Sequence, residues 1–305
     1  MARRVLSAFA LLVLATGAWL LLRPGPPLPP GLPGAIVFVS DRDGTPALYW
    51  RRLPRSRERR LTFGSEAVAE PAVSPDGTRV AFSMGGRIGV VTVAGGDVRI
   101  LTLGIDWKDA QPAWLPDGRR LVVSARRRAG EPAGLHLLEP APDGSVARQP
   151  LTKPHADDDT SPAPSPDASF VVFVREQHLM RVDLADGRVR RLTGGFKRER
   201  SPRFLPSGRI VCAWSEGTRH GIDVIDAEGT LREPLVEGGA FYRTIAPSPD
   251  GRHLVATLTW DGSWSLAALL GTAKEEVRLL DASGREQAPL EASRRYTNHS
   301  ADWGR

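Results

Sequence analysis

Short apolar runs recur along the chain between tight-turn signals. They read Ile36-Val37-Phe38-Val39, Val80-Ala81-Phe82, Leu121-Val122-Val123, Phe170 to Val174, Ile210-Val211 and Leu254-Val255-Ala256. Runs this short, rich in β-branched and aromatic residues, predict buried strands rather than helices. The turn ahead of the last five also repeats: Ser74-Pro75-Asp76-Gly77, Leu115-Pro116-Asp117-Gly118, Ser165-Pro166-Asp167-Ala168, Leu205-Pro206-Ser207-Gly208 and Ser248-Pro249-Asp250-Gly251. Proline sets φ at the second turn position, Asp or Ser bonds nearby backbone, and Gly accepts positive φ. A proline-aromatic pattern, as in Pro112-Ala113-Trp114 or Pro202-Arg203-Phe204, stands before the turn, so each unit predicts a hairpin.

A second landmark fixes the register. Leu61-Thr62, Leu101-Thr102, Leu151-Thr152 and Leu192-Thr193 precede the third turn residue by 15, 16, 16 and 15 positions, and Leu235-Val236 repeats the spacing at 15. The period of roughly 40 to 54 residues is that of four-stranded propeller blades. The folded part opens mid-repeat, at a second strand (Ile36 to Val39), and closes mid-repeat, with Trp303 standing where Trp114 stands. Residues 35–305 number 271, about 45 for each of six blades. The pattern predicts an all-β, six-bladed β-propeller of four-stranded blades, closed by N- and C-terminal strands that share one blade. Such closure removes exposed sheet edges. A seven-bladed WD-repeat ring would need a longer chain and the Gly-His and Trp-Asp landmarks in register, which are missing.

Arg3 and Arg4 precede the uncharged stretch Val5 to Leu22, and Arg23 closes it. As a helix it would reach roughly 27 Å, close to the ~30 Å hydrocarbon thickness. Residues 1–23 therefore predict an apolar helix acting as a signal-anchor, with a cleaved signal peptide as the alternative. No cysteine is placed for lipoprotein processing. The next eleven residues, 24–34, hold six prolines and predict an extended stalk. An extracytoplasmic body on the periplasmic side follows, anchored in the inner membrane or secreted. The net charge of +6 is local: residues 1–60 carry +7 and the remainder −1. No nucleic-acid footprint across a domain face is expected. The single cysteine, Cys212, lies in an apolar run and reads as a small buried hydrophobe.

Ser-Pro-Asp-Gly, the following apolar strand, Ser40-Asp41-Arg42-Asp43-Gly44, the aromatic strand Leu48-Tyr49-Trp50 and Leu-Thr together resemble the repeat of the TolB propeller family. The resemblance covers nearly all of 35–305 and implies a six-bladed ring. Departures are Ala168 and Ser207 in the turn motif, the missing Leu-Thr of blade five, and an insertion in blade six. The family's namesake adds an N-terminal α/β domain, and no segment here is long enough for one. The resemblance therefore implies the propeller and not a role in the Tol system.

Catalytic signatures are missing: there is no Gly-x-Ser-x-Gly, no His-Glu-x-x-His and no phosphate-binding glycine loop. His155-Ala156-Asp157-Asp158-Asp159 is the most metal-like patch. It reads first as a solvated acidic loop, with Ca²⁺ as the ion it could take. No cofactor and no metal ligand set is expected otherwise.

The three residues ahead of each aligned proline should open on the central mouth, where a propeller binds its ligand. They supply the candidates Glu70, Asp109, Gln111, Asp159, Glu199, Tyr242, Arg243, Asn298 and His299. Two functions follow. The first is a monomeric, non-catalytic binding module presenting a propeller face to an envelope protein or ligand. The second is a lactonase- or cyclase-like enzyme with a metal held at the mouth by Glu70, Asp109, Asp159 and Glu199. Two further contact regions are expected. Trp264, Leu266, Leu269 and Leu270 lie on the blade-six insertion. Arg55, Arg57, Arg59 and Arg60 form a basic turn facing the membrane, on the side opposite the mouth.

Overall fold

The computed structural model describes residues 28–304, apart from 55, 154, 239, 261–274 and 292–297. The expected N-terminal helix, Arg55 and the insertion residues Trp264, Leu266, Leu269 and Leu270 lie outside the described residues. Among the described residues no helix is long and apolar enough to cross a membrane.

Six four-stranded antiparallel sheets form the blades. Blade one joins β24 (Asn298–Gly304) to β1 (Ala35–Ser40), β2 (Ala47–Arg52) and β3 (Arg59–Arg60). Blade two is β4 (Val68–Val73), β5 (Arg79–Met84), β6 (Arg87–Thr92) and β7 (Arg99–Ile100). Blade three is β8 (Lys108–Trp114), β9 (Leu121–Arg126), β10 (Gly134–Pro140) and β11 (Val146–Pro150). Blade four is β12 (Thr160–Pro164), β13 (Phe170–Arg175), β14 (His178–Asp183) and β15 (Val189–Arg191). Blade five is β16 (Arg198–Phe204), β17 (Ile210–Glu216), β18 (Arg219–Ile225) and β19 (Arg232–Glu237). Blade six is β20 (Ala240–Pro247), β21 (His253–Trp260), β22 (Glu276–Asp281) and β23 (Glu286–Glu291). The innermost strands β24, β4, β8, β12, β16 and β20 touch in a closed cycle around the axis. As expected, the two ends of the chain share one blade, with Ile36 opposite Trp303.

The core is distributed rather than central. Six apolar clusters each lie between two neighbouring blades; Val37, Val39, Phe82 and Val91, for example, join blades one and two. Second strands are covered on both faces, which is why Ala35–Ser40 is buried at every position and reads as an unbroken apolar run.

The two repeated motifs have separate tasks. In Ser74-Pro75-Asp76-Gly77 the Gly77 N–H closes the turn on the Ser74 carbonyl at 2.8 Å, and Asp76 accepts from Thr78 N–H at 3.1 Å. Gly77 sits at φ 72°, and Ala168 takes the same left-handed place at 57°. The Leu-Thr pair clips the outer edge of the blade. Thr62, Thr102, Thr152 and Thr193 hydroxyls accept the third-strand N–H groups of Leu48, Ile88, Leu135 and Leu179 at 2.8–2.9 Å. Where blade five has Val236 instead, the ladder between β18 and β19 slips.

Within the proline-rich segment, the described residues 28–34 pack on the propeller instead of standing out as an extended stalk. Leu32 is buried with Tyr49, Leu53 and Trp303, and Leu28 packs on the same cluster. Leu53 N–H donates to the Gly34 carbonyl at 3.0 Å. Leu28 and Leu32 place apolar side chains among the prolines, and burying them outweighs leaving the segment extended in water.

Candidate functional site

Five of the six inner strands share one distortion near the mouth. Glu70, Gln111, Ser161, Ser201 and Ser300 all have φ between 50° and 53°, and each inner strand slips in register there against its neighbour. Left-handed backbone at a residue with a side chain costs about 1–3 kcal/mol and persists only where surrounding contacts fix it. Those contacts run from blade to blade. Gln111 N–H donates to the Glu70 carboxylate at 2.9 Å, Ser161 N–H to Gln111 Oε1 at 2.7 Å, and Ile245 N–H to Ser201 Oγ at 3.2 Å. Ser83 also donates to Glu70 at 2.6 Å. In blades two, three and five the polar residue ahead of the proline thus caps a backbone donor of the next blade.

These residues, with Arg200, Arg203, Arg243, Thr244 and Glu275, enclose a funnel of about 500 Å³ on the axis. Of the mouth candidates, Glu70, Gln111 and Arg243 line it.

Where the first residue of a triplet is acidic it points elsewhere. Regular two-residue alternation would put first and third side chains on one face, but the left-handed third residue and the register slip beside it break that alternation. Asp109, Asp159 and Glu199 are only 1%, 1% and 2% exposed and do not line the funnel. Each is spent on an arginine inside its blade. Arg148 meets Asp109 at 2.7 Å, Arg175 grips Asp159 through two bonds of 2.6 and 2.8 Å, and Arg232 pairs with Glu199. Glu199 also accepts from the Thr193 hydroxyl at 2.6 Å. The expected set of four converging carboxylates is therefore not assembled; only Glu70 reaches the funnel. Tyr242 is buried in the apolar cluster between blades five and six, and burial raises its hydroxyl pKa. Asn298 and His299 pair through their backbones with Ser40 and Val39, and their side chains lie outside the described residues.

The acidic patch divides. Asp158 accepts from Ala133 N–H at 2.6 Å and from Arg126 at 3.0 Å, and Asp159 is buried against Arg175. Among the described residues His155, Asp157 and Glu176 are the one group placed close enough to share an ion, and all three are exposed.

The basic turn also divides. Arg57 is exposed between β2 and β3. Arg59 lies over the Trp50 ring at 5.1 Å and donates to the Ala94 carbonyl at 3.2 Å. Arg60 turns the other way, to Asp43 at 3.1 Å in the mouth-side hairpin.

Sequence reasoning missed two sets. Arg203 on β16 lines the funnel, hidden in the sequence because arginine is common throughout. Arg200 beside it stands in a triplet that the sequence places at the mouth, but it is not among the residues singled out there as candidates. Phe63, Leu103, Ile105 and Phe196 are 77%, 73%, 76% and 88% exposed. They sit in loops leading into inner strands, on the mouth side, each just after a Leu-Thr pair. That recurring apolar residue beyond the clip was the available signal.

No family model matches the chain. A curated relative, a protein TolB homolog of Chlorobium luteolum, is 30% identical over 161 residues, covering 51% of this chain and 35% of that protein. The matched part thus spans about a third of that relative's length. TolB from Acinetobacter baumannii superposes with a TM-score of 0.71 at 18% identity, over 90% of this chain and 69% of the other. Enzymes share the architecture: an oligogalacturonate lyase in complex with manganese gives a TM-score of 0.59 at 16% identity, over 83% and 73% of the two chains.

Proposed function

The chain carries a propeller of the TolB type, and from that premise we propose that it is an extracytoplasmic, non-catalytic module that docks a cell-envelope protein on its mouth face. One observation carries this reading: Phe63, Leu103, Ile105 and Phe196, from the equivalent loops of three blades, stand exposed on the mouth side, around a polar funnel. Solvent-exposed apolar groups gathered on one face mark contact surfaces. The funnel supplies convergent polar groups at their centre.

In this reading the apolar segment Val5 to Leu22 holds the chain at the membrane. The face carrying Arg52 and Arg57 turns to the bilayer and leaves the mouth free. The metal-enzyme alternative is weaker on donor chemistry. Three of the four carboxylates it needs are buried in arginine pairs, and Glu70 caps the Gln111 N–H.

Leu103→Asp and Phe196→Asp test the reading directly. In the cells that make the protein, each should abolish co-purification of a discrete envelope partner while leaving the melting temperature unchanged. Retention of the partner by both variants would overturn it.

A further inference from the structure

The funnel is electrically lopsided. Arg200 and Arg203 on β16 and Arg243 on β20 stand on one wall, in blades five and six. Glu70, in blade two, stands across the ring from blade five and is already engaged by Ser83 and the Gln111 N–H. Arg243 meets the partly buried Glu275. Arg200 and Arg203 have no carboxylate within ion-pair distance among the described residues. Arg200 donates to the Ser215 hydroxyl and, at 3.3 Å, to the Tyr242 carbonyl, with its guanidinium over the Phe241 ring at 4.2 Å. Among the described residues Arg203 donates only to the neighbouring Pro202 carbonyl, at 2.9 Å, and Asp302, which feels its charge, lies beyond ion-pair distance.

The contrast with the rest of the molecule is informative. The arginines inside blades three, four and five, Arg148, Arg175 and Arg232, each hold an acid. A half-buried cation without a counter-ion is costly. Burial and then the charges of Arg243 and Arg198 lower the pKa of Arg200, as befits an unbalanced positive wall. Planar guanidinium groups match carboxylates in two-bond geometry.

We infer that the arginine wall of the funnel receives a carboxylate carried on a protruding acidic segment of the docked protein. The exposed apolar rim grips the body of the partner, and Arg200 with Arg203 takes the acidic tip. This rests on the docking reading above and adds the chemistry of what enters the mouth.

Fluorescence anisotropy on the full chain in a neutral detergent tests it, with a labelled, amidated (Gly-Glu)₃ peptide as probe and (Gly-Gln)₃ as control. The acidic peptide should bind at least tenfold more tightly than the glutamine peptide. Arg200→Gln and Arg203→Gln should each weaken it about tenfold, and the exposed Arg252→Gln should leave it unchanged. Arg203, with one local bond, carries the test if Arg200→Gln lowers the melting temperature. Equal binding of the two peptides, or no effect of either mouth arginine, would overturn the inference. Displacement by free glutarate at the peptide's own concentration would also overturn it, because the site would then take small anions rather than a protein tip. If rim variants abolish partner capture and arginine variants do not, this inference fails while the docking reading stands.

Discussion

The indole Nε1–H of Trp303 donates to the carbonyl oxygen of Pro33 at 2.9 Å, joining residues 270 positions apart. Trp114 holds the equivalent place in blade three and donates to the Ala72 carbonyl of blade two at 3.0 Å. The last inner strand thus closes the ring with the bond that an internal blade makes, but onto the segment that precedes β1. Trp303→Ala should cost about 3–5 kcal/mol, the range for emptying a large buried aromatic. Trp303→Phe should cost about 1 kcal/mol, the net worth of the hydrogen bond. Urea unfolding of both variants checks this, and an unchanged midpoint for Trp303→Ala would remove the shared-blade closure.

The carboxylates at the first triplet position are structural. Asp159→Ala leaves Arg175 buried without its two-bond partner and should destabilise by about 3–5 kcal/mol. Adding Arg175→Met should recover much of that loss, since an apolar pair tolerates burial where a lone charge does not. A neutral Asp159→Ala would mean that the carboxylate faces the open mouth.

Acid should unfold the protein in two windows. Burial and then Arg148 depress the His136 pKa to about 4. Between the ordinary histidine value near 6.5 and about 4, the unfolded chain therefore takes up a proton that the folded one refuses, and stability falls with pH. Lower down, Asp76 and Asp167 are held near 2, chiefly by the Ser74 and Ser165 hydroxyls. Their contribution is present above the ordinary aspartate value and lost as pH falls from about 4 towards 2. Buried Asp302 works the other way: burial raises its pKa, so its protonation offsets part of the loss. Melting curves from pH 7 to 2 should show His136→Gln flattening the upper window alone. The double variant Asp76→Asn with Asp167→Asn should flatten the lower one.

At the opposite face, a chain beginning at Leu28, which keeps every described residue, should sediment with anionic vesicles at low salt and not with neutral ones. Arg52→Ser with Arg57→Ser should lose that binding at about 1 kcal/mol per charge, and added salt should weaken it. Arg60→Ser should change little, because that guanidinium is on Asp43. Equal sedimentation with both vesicle types would end the membrane-facing assignment.

The ring was legible because its turns and clips are local. Ser-Pro-Asp-Gly and Leu-Thr each make their bonds within one blade, so fixed spacing carried the blade count and the shared first blade. The mouth was only half legible. Triplet position located the right turn of chain, but Glu70, on the axis, and Asp109, inside a blade, stand at the third and first triplet positions. Regular alternation would point these alike, and only the left-handed third residue with its register slip sends them apart. The arginines that neutralise Asp109 and Glu199 stand on the outermost strands, at Arg148 and Arg232, and no short spacing announces them. The apolar rim escaped notice because Phe63 and Phe196 follow a motif read only for its Leu and Thr.

Photo-crosslinking tests the central claim most directly. A benzophenone amino acid placed at Phe196 or Leu103 of the full chain, in the cells that make it, should capture one discrete envelope protein. The same group at Arg119, in the exposed turn at the far end of the inner strand β8, should capture none. Equal capture from both faces, or none from the mouth, would contradict docking at the mouth.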